Sequence, residues 1–456
     1  MSQYAQSDLQ YAGEFQIEEF KLFSSTGKFI YMDTHALRIN IHESIFSNAI
    51  SGEILMFDTD NLITNFPIIG QETLSIKFKT PNFEEDENHF NFTEHKFAVF
   101  GVGLSTDASH GSNVHILKFC SPELLKNLQT RVSRSYTQSI SDTVGDLLTN
   151  TKYVGTTKKI ITEPTTGIRK YVCPNHHPYT IVNHLLNQSV SKETGSPHYL
   201  FFENTQGIHF RSLQSLYKMP DKGSYHYGDN IRTNQRLQEG SKKNTILNLT
   251  RILQYDIVTA SDMMTSIIGG TLASKNITHD IYNKNYAIDE FKYFEEFNTH
   301  DRISIGDSNL MDNAKFSKNA DEYSGKVIDS FVNSNIHLIP TSTASDKDAS
   351  HLDGSYAPSQ RRQVILDRKS RISELIRGIQ VNFETYGHTA LNAGDMVKLQ
   401  LPNRGRDHND DKISKYHKGR FLVTEVNHEF TNGESKTHLM QIKAFRDSLP
   451  EPLPLR

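Results

Sequence analysis

The side chains best placed for chemistry lie in Cys173-Pro174-Asn175-His176-His177, with His184 a helical turn or two further on. Thiolate and imidazole are zinc ligands, but a tetrahedral site needs four of them. No second cysteine pair lies nearby and the spacing fits no zinc finger. The segment is therefore expected to be a helix N-terminus with two exposed imidazoles, and no metal or cofactor is expected. Asp58-Thr59-Asp60 has the form of a cation site or a glycosidase acid pair. At the end of a strand such a triplet more often closes a turn with its own backbone. The chain has no Gly-x-Ser-x-Gly elbow to anchor a hydrolase triad, and no Gly-x-x-x-x-Gly-Lys-Ser/Thr loop to cradle phosphates. Arg361, Arg362, Arg368, Lys369, Arg371 and Arg377 form one basic concentration, able to meet phosphates or an acidic partner. No aromatic side chains interleave with it to stack on bases. It reads as a solvated helix face, or as one ion-paired to a neighbouring subunit. No catalytic residue is assigned, and the chain is expected not to be an enzyme.

A length of 456 residues suits two to four domains. Only 36% of residues are hydrophobic, with 26 Phe, 19 Tyr and no Trp, which points to small aromatic cores beneath polar loops. The net charge of -4 gives no basic excess to attract duplex DNA. Cys120 and Cys173 cannot form a disulfide framework and are expected to be reduced and buried. The N-terminus lacks a signal-peptide pattern, and no apolar run approaches a membrane span. The expectation is a soluble chain, made inside the cell without a membrane anchor.

Residues 1–14 read as an arm. From 15 to 120 the pattern is strand-like: Leu37, Ile39 and Ile41 alternate, as do Leu74, Ile76 and Phe78, around an apolar run at Ile54–Phe57. Ser121-Pro122-Glu123 has the form of a helix start, followed by Leu124, Leu125 and Leu128 at helical spacing. Two more helices are expected, one carrying Ile140, Val144, Leu147 and Leu148, the other spanning Pro178–Gln188. A hairpin is expected around Asn204–Gly207, making 121–217 an α+β module. Residues 218–299 read as a connection and the start of a second β domain, and 300–369 as a polar insertion. A short helix is expected at Ser370–Arg377 with Ile372, Leu375 and Ile376 inward and Gly378 as its stop. The second β domain spans 370–448, its strands following that helix and ending in a hairpin over Asn432-Gly433, and 449–456 form a proline-rich tail. The fold class is α+β, mainly β, with two β-barrel domains bracketing the α+β module. Both barrels contain a strand opened by glycine, Gly70 to Phe78 and Gly394 to Leu401, which suggests a duplication.

Phe421 to Phe430 with Thr437-His438-Leu439-Met440 resembles the last hairpin of the T-even phage baseplate hub proteins. Glu43 to Phe46 and Ser51 to Asp58, continuing to Gly70 and Leu74–Phe78, are similar to that family's first-domain strands. The Tyr199–Leu213 hairpin is similar to a segment of phage tail hubs and type VI secretion spike proteins. The resemblance covers about a quarter of the chain. It implies tube-type barrels and a homotrimer whose six barrels form a pseudo-sixfold ring in a contractile-tail virion, assembled in the host cytoplasm. The implied partners are the hexameric tail tube, a trimeric spike and other baseplate proteins, with DNA passing through unbound. Along the last hairpin, Phe421, Val423 and Glu425 are expected to share one face and Leu422, Thr424 and Val426 the other. Phe421, Val423, Glu425 and, in the turn, Gly433 are the expected inter-subunit or tube contacts. The rival classes are a cell-wall-degrading tail-tip enzyme, which needs a positioned acid pair, and a receptor-binding tip, which usually shows long repeats.

Overall fold

The structure, a computed structural model, describes residues 11–59, 62–66, 68–81, 90–109, 112–227, 248–259, 262–280, 284–299, 301–303, 314–320, 322, 324–341, 361–402, 416–433 and 435–451. Seven strands open it: β1 (Gln16–Phe23), β2 (Phe29–Tyr31), β3 (Ala36–Ser44), β4 (Ser51–Asp58), β5 (Thr73–Lys79), β6 (Phe97–Ser109) and β7 (Ser112–Cys120), with a short helix α1 (Leu62–Asn65) after β4. Alternation puts Leu74, Ile76 and Phe78 into one core with Ile39, Ile41, Ile54 and Met56. Leu37 departs from the expected pattern. A bulge between Ala36 and Arg38 interrupts the alternation and leaves Leu37 exposed.

The module that follows contains α2 (Pro122–Gln129), β8 (Ser135–Gln138), α3 (Ile140–Thr149), β9 (Ile160–Thr162), β10 (Arg169–Val172), α4 (Pro178–Leu186), β11 (Tyr199–Asn204), β12 (Gly207–Ser212) and α5 (Leu213–Tyr217). The helices α3 and α4 bury the expected stripes. Helix α2 does not. It turns Glu123 and Asn127 inward and leaves Leu128 exposed, because a buried lysine faces its polar side.

Strands β13 (Asp221–Tyr227) and β14 (Arg251–Thr259) come next, then a lobe of α6 (Met263–Ile268), β15 (Ala273–Asp280), β16 (Asn285–Lys292), α7 (Tyr293–Glu296) and β17 (Ile336–Thr341). The lobe has its own core of Leu272, Tyr293, Phe294, Phe297, Ala314, Phe316 and Ile328. Residues 314–341 thus supply core and a strand where a polar insertion was expected; 304–313 and 342–360 lie outside the described residues. Helix α8 starts at Arg361, well before Ser370, and runs to Arg377. Leu375 is buried as expected, but Ile376 is exposed. Ser370, Arg371 and Glu374 take the other inward positions, so no apolar period marks the helix.

The chain closes with β18 (Ile379–Tyr386), β19 (Met396–Gln400), β20 (Gly419–Asn432) and β21 (Lys436–Arg446). With β13 and β14 they close a six-stranded barrel in the order β19-β13-β14-β18-β21-β20, returning to β19. The first unit runs β5-β1 at one side and β5-β6-β7-β4-β3 at the other, the same neighbour relations strand for strand. It stays open between β1 and β3, and β1 runs antiparallel to β5 where β13 runs parallel to β19. Two of the bulges match, while the shifts at Gly103/Ser105 and Asp107/Ser109 in β6 and at Ile257/Thr259 in β14 have no counterpart. A register shift at Val99/Gly101 in β6 recurs at Val423/Glu425 in β20, and one at Ala36/Arg38 in β3 recurs at Ile252/Gln254 in β14. Both expected glycines begin their strands with left-handed backbone, Gly70 at φ 86° and Gly394 at φ 96°. The protein contains one strand arrangement twice, closed into a barrel in the second unit and open in the first.

Candidate assembly interface

The two barrels meet edge to edge. Strand β20 pairs with β19 at its start, from Gly419 to Leu422, and then leaves it. From Glu425 to Thr431 the same edge pairs antiparallel with Ser44 to Arg38 of β3, so both barrels join one thirteen-stranded sheet. Phe430 crosses the joint into the first core, where its ring lies 5.0 Å from Phe15 and 4.9 Å from Phe78. Ridging one barrel's aromatic into the other's core makes the joint an interior rather than a seam.

This joint explains the fate of the expected contact residues. Phe421 and Val423 are fully buried in the second barrel's core, while Leu422, on the opposite side of the strand, is buried in a core shared with the α+β module. The chain covers both faces itself, which corrects the assignment of Phe421 and Val423 as contacts. The bulge after Val423 turns Glu425 outward, where it pairs with Lys443 at 2.7 Å. Gly433 opens a three-residue loop between the paired Asn432 and Lys436, with backbone outside the left-handed region and open space around its Cα. The expected two-residue turn with positive backbone angles is thus replaced by a longer loop.

Along the joined sheet a shallow concavity is lined by His42, Asp256, Asn382, Glu425, Asn427 and Lys443, drawn from β3, β14, β18, β20 and β21. Polar and apolar side chains share its lining, Tyr255, Phe383 and Ile442 among the latter, and acids outnumber the lysine. Behind the sheet, buried ion clusters lock the other units in place. Lys158 reaches Glu123 at 2.7 Å and Glu203 at 2.6 Å, and Ser121 donates its hydroxyl to Glu203. Burial opposes the Lys158 charge, but the two carboxylates outweigh it and raise its pKa. Glu43 accepts from the amides of Thr205 and Ala393, tying the first barrel to the module and the second barrel; burial raises its pKa to about 8. Arg302 donates to Glu374 of α8 at 2.6 Å, beside Arg371 and Asp447.

The basic run is spent inside the chain. Arg368 donates to the carbonyls of Pro197 and Tyr199, Lys369 to Asn335, Arg371 pairs with Asp447 at 3.5 Å, and Arg377 donates to Thr265. Among the described residues, Arg368, Lys369, Arg371 and Arg377 thus bond within the chain rather than forming the solvated or intersubunit ion-pairing face the sequence suggested. The side chains of Arg361 and Arg362 lie outside the described residues. Asp58 takes its turn role, with both carboxylate oxygens accepting from Leu62 N at 2.8–2.9 Å; Asp60 lies outside the described residues. Cys120 and Cys173 are free and buried. His176 is exposed, but His177 is half-buried, 2.8 Å from the Thr130 carbonyl, and His184 lies against Tyr171. A histidine cluster that the sequence reading missed sits in the second barrel: His428 Nδ1 is 3.1 Å from His438 Nε2, and His388 bonds Tyr225. Burial depresses His428 to about 3 and His388 to about 4, and pushes His438 well below the usual imidazole range. Only their alternate spacing on one strand face, as at His428 and Phe430, could have signalled it.

Among solved structures, a tail protein from Neisseria meningitidis MC58 superposes with a TM-score of 0.51 at 9% identity, covering 95% of this chain and 97% of that one. The 43 kDa tail protein of prophage MuSo2 from Shewanella oneidensis gives 0.50 at 10% identity, covering 95% and 100%. The fold is that of phage tail proteins. A component of the E. coli type VI secretion system, described as similar to T4 phage tail proteins, gives a TM-score of 0.42 at 10% identity, over 97% of this chain and 79% of that one. No protein-family model matches this chain, and no curated protein matches its sequence. The shared architecture spans nearly the whole chain at an identity that leaves few residues in common. What persists is a mainly β frame, and no helix among the described residues is long and apolar enough to cross a membrane.

Proposed function

We propose that this chain is a structural hub subunit of a contractile phage tail: a trimeric, pseudo-sixfold adaptor between the hexameric tail tube and a trimeric spike. The observation that carries this reading is the β20·β3 joint, which fuses two units of like strand arrangement, one closed as a barrel and one open, into one sheet. A trimer of such a chain presents six near-equivalent barrels, and so offers sixfold edges to a tube while remaining threefold toward a spike. The tail-protein fold over 95% of the chain supports the setting. The acid-leaning charge of the concavity suits a lumen that lets a phosphate backbone slide past without gripping it. The proposed role is assembly, without catalysis, in the virion's baseplate beside other baseplate proteins. The test is to mix the purified chain with the tube protein of the same tail. Capping of tube ends, with peptidoglycan left uncleared by the chain alone, is the expected result. Clearing that a single Asp or Glu substitution abolishes contradicts the structural role.

A further inference from the structure

The internal joint has an unused counterpart on each barrel. In β20 the edge that leaves β19 goes on to pair with β3. Its equivalent is β6, which pairs with β5 only at Phe97 and Ala98; from Gly101 to Ser109 that edge has no strand beside it among the described residues. The equivalent of β3 is β14, which touches β13 only at Arg251 and Ile252 and then runs on to Thr259 with no strand on that edge among the described residues. Apolar side chains stand in the open near both edges: Phe100 and Val102 on β6 are 48% and 40% exposed, and Val258 on β14 is 54% exposed. An unpaired strand edge with exposed apolar side chains is a template for a further strand.

We infer that β6 of one copy pairs antiparallel with β14 of the next, repeating between chains the β20·β3 pairing made within each. This rests on the ring reading and adds to it which edges close the ring. Matched neighbours on the adjoining strands give the register. Glu429 lies opposite Asn40 in the internal joint. Within the barrels Glu429 pairs with Leu439 and Thr106 with Val114, while Asn40 pairs with Glu53 and Asp256 with Asn382. These matched neighbours make Thr106 the counterpart of Glu429 and Asp256 the counterpart of Asn40. Thr106 of one copy therefore faces Asp256 of its neighbour. The contact is heterologous, so it forms a closed ring only when the rotation between copies returns to the start, here after three.

The experiment places Thr106→Cys and Asp256→Cys in the full-length chain, with Asn40→Cys and Glu429→Cys in a second variant as an internal reference. Each is oxidised mildly and run on a denaturing gel, with native mass measured in parallel by light scattering. The reference pair should close within one chain and leave its denatured mass unchanged. The test pair should give covalent dimers and trimers, with either single cysteine giving none of the ladder. A native trimer without the ladder, under conditions that close the reference pair, overturns the strand assignment and leaves the ring standing. A native monomer overturns both.

Discussion

The amides of Val99 and Val423 make the same hydrogen bond in two barrels, Val99 donating to the Glu72 carbonyl and Val423 to that of Asp395, each at 2.9 Å. Each valine sits just before a bulge in the strand that follows a glycine-opened strand. Phe97 and Phe421 are likewise matched, facing Leu74 and Val397. Little sequence is common to these pairs beyond glycine, an acid and an apolar side chain. The duplication lives in register and bulge placement, and the adaptor reading grows from it.

Glycine at the two strand openings should be irreplaceable where glycine at the last hairpin is not. Gly394 has φ 96°, and a Cβ there would meet the Phe202 ring at 3.0 Å. Gly394→Val should cost about 1–3 kcal/mol through backbone strain and crowding. Gly433→Val, in open space with ordinary backbone, should stay within about 0.5 kcal/mol. Urea midpoints of the two variants check this; equal losses contradict it.

Removing one partner of a buried ion cluster should hurt more than any surface change. Lys158 is 8% exposed between Glu123 and Glu203 at 4% and 1%. Lys158→Met leaves two buried carboxylates with no cation and should cost about 3–5 kcal/mol. A chemical-denaturation loss below about 1 kcal/mol would show that the cluster does not hold the module together.

Acid should loosen the second barrel. His388, His428 and His438 are buried neutral, with folded pKa values below their unfolded value near 6.5. Below pH 6.5 the unfolded chain binds protons that the folded chain does not, so stability falls as pH falls, until the folded pKa values near 4 and 3 are reached. Each such histidine contributes up to about 1.4 kcal/mol of loss per pH unit in that window. Thermal midpoints from pH 7 to pH 4.5 should drop, and the drop should shrink in His428→Gln. A slope unchanged by that substitution removes the histidines as its source.

Duplex DNA should not bind at physiological salt. The net charge is -4, and Arg368, Arg371 and Arg377 are committed to their own chain. Titration of the chain into labelled duplex checks this. Tight binding that weakens steeply with salt is the contrary result.

Much of this architecture was legible where one face of an element is apolar and the other is not. Leu74, Ile76 and Phe78 announced a strand, and Ile140, Val144, Leu147 and Leu148 a helix. Gly70 and Gly394 hinted at the repeat. Helix α8 and the inward face of α2 were hidden because Ser370, Arg371, Glu374, Glu123 and Asn127 fill buried positions through ion pairs and hydrogen bonds, which leave no hydrophobic period. Phe421 and Val423 were misassigned because a strand buried on both faces alternates just as a half-exposed one can. The joint itself was out of reach, since pairing over nearly 400 positions of sequence, as between Thr431 and Arg38, leaves no local trace.

End-on electron micrographs of the purified chain, alone and with the spike protein of the same tail, test the proposed adaptor role most directly. The expected image is a ring of six similar lobes around a central channel, built from three chains by mass. Single particles with two lobes that stay monomeric at micromolar concentration with the spike present would contradict it, as would a closed ring with a lobe number other than six.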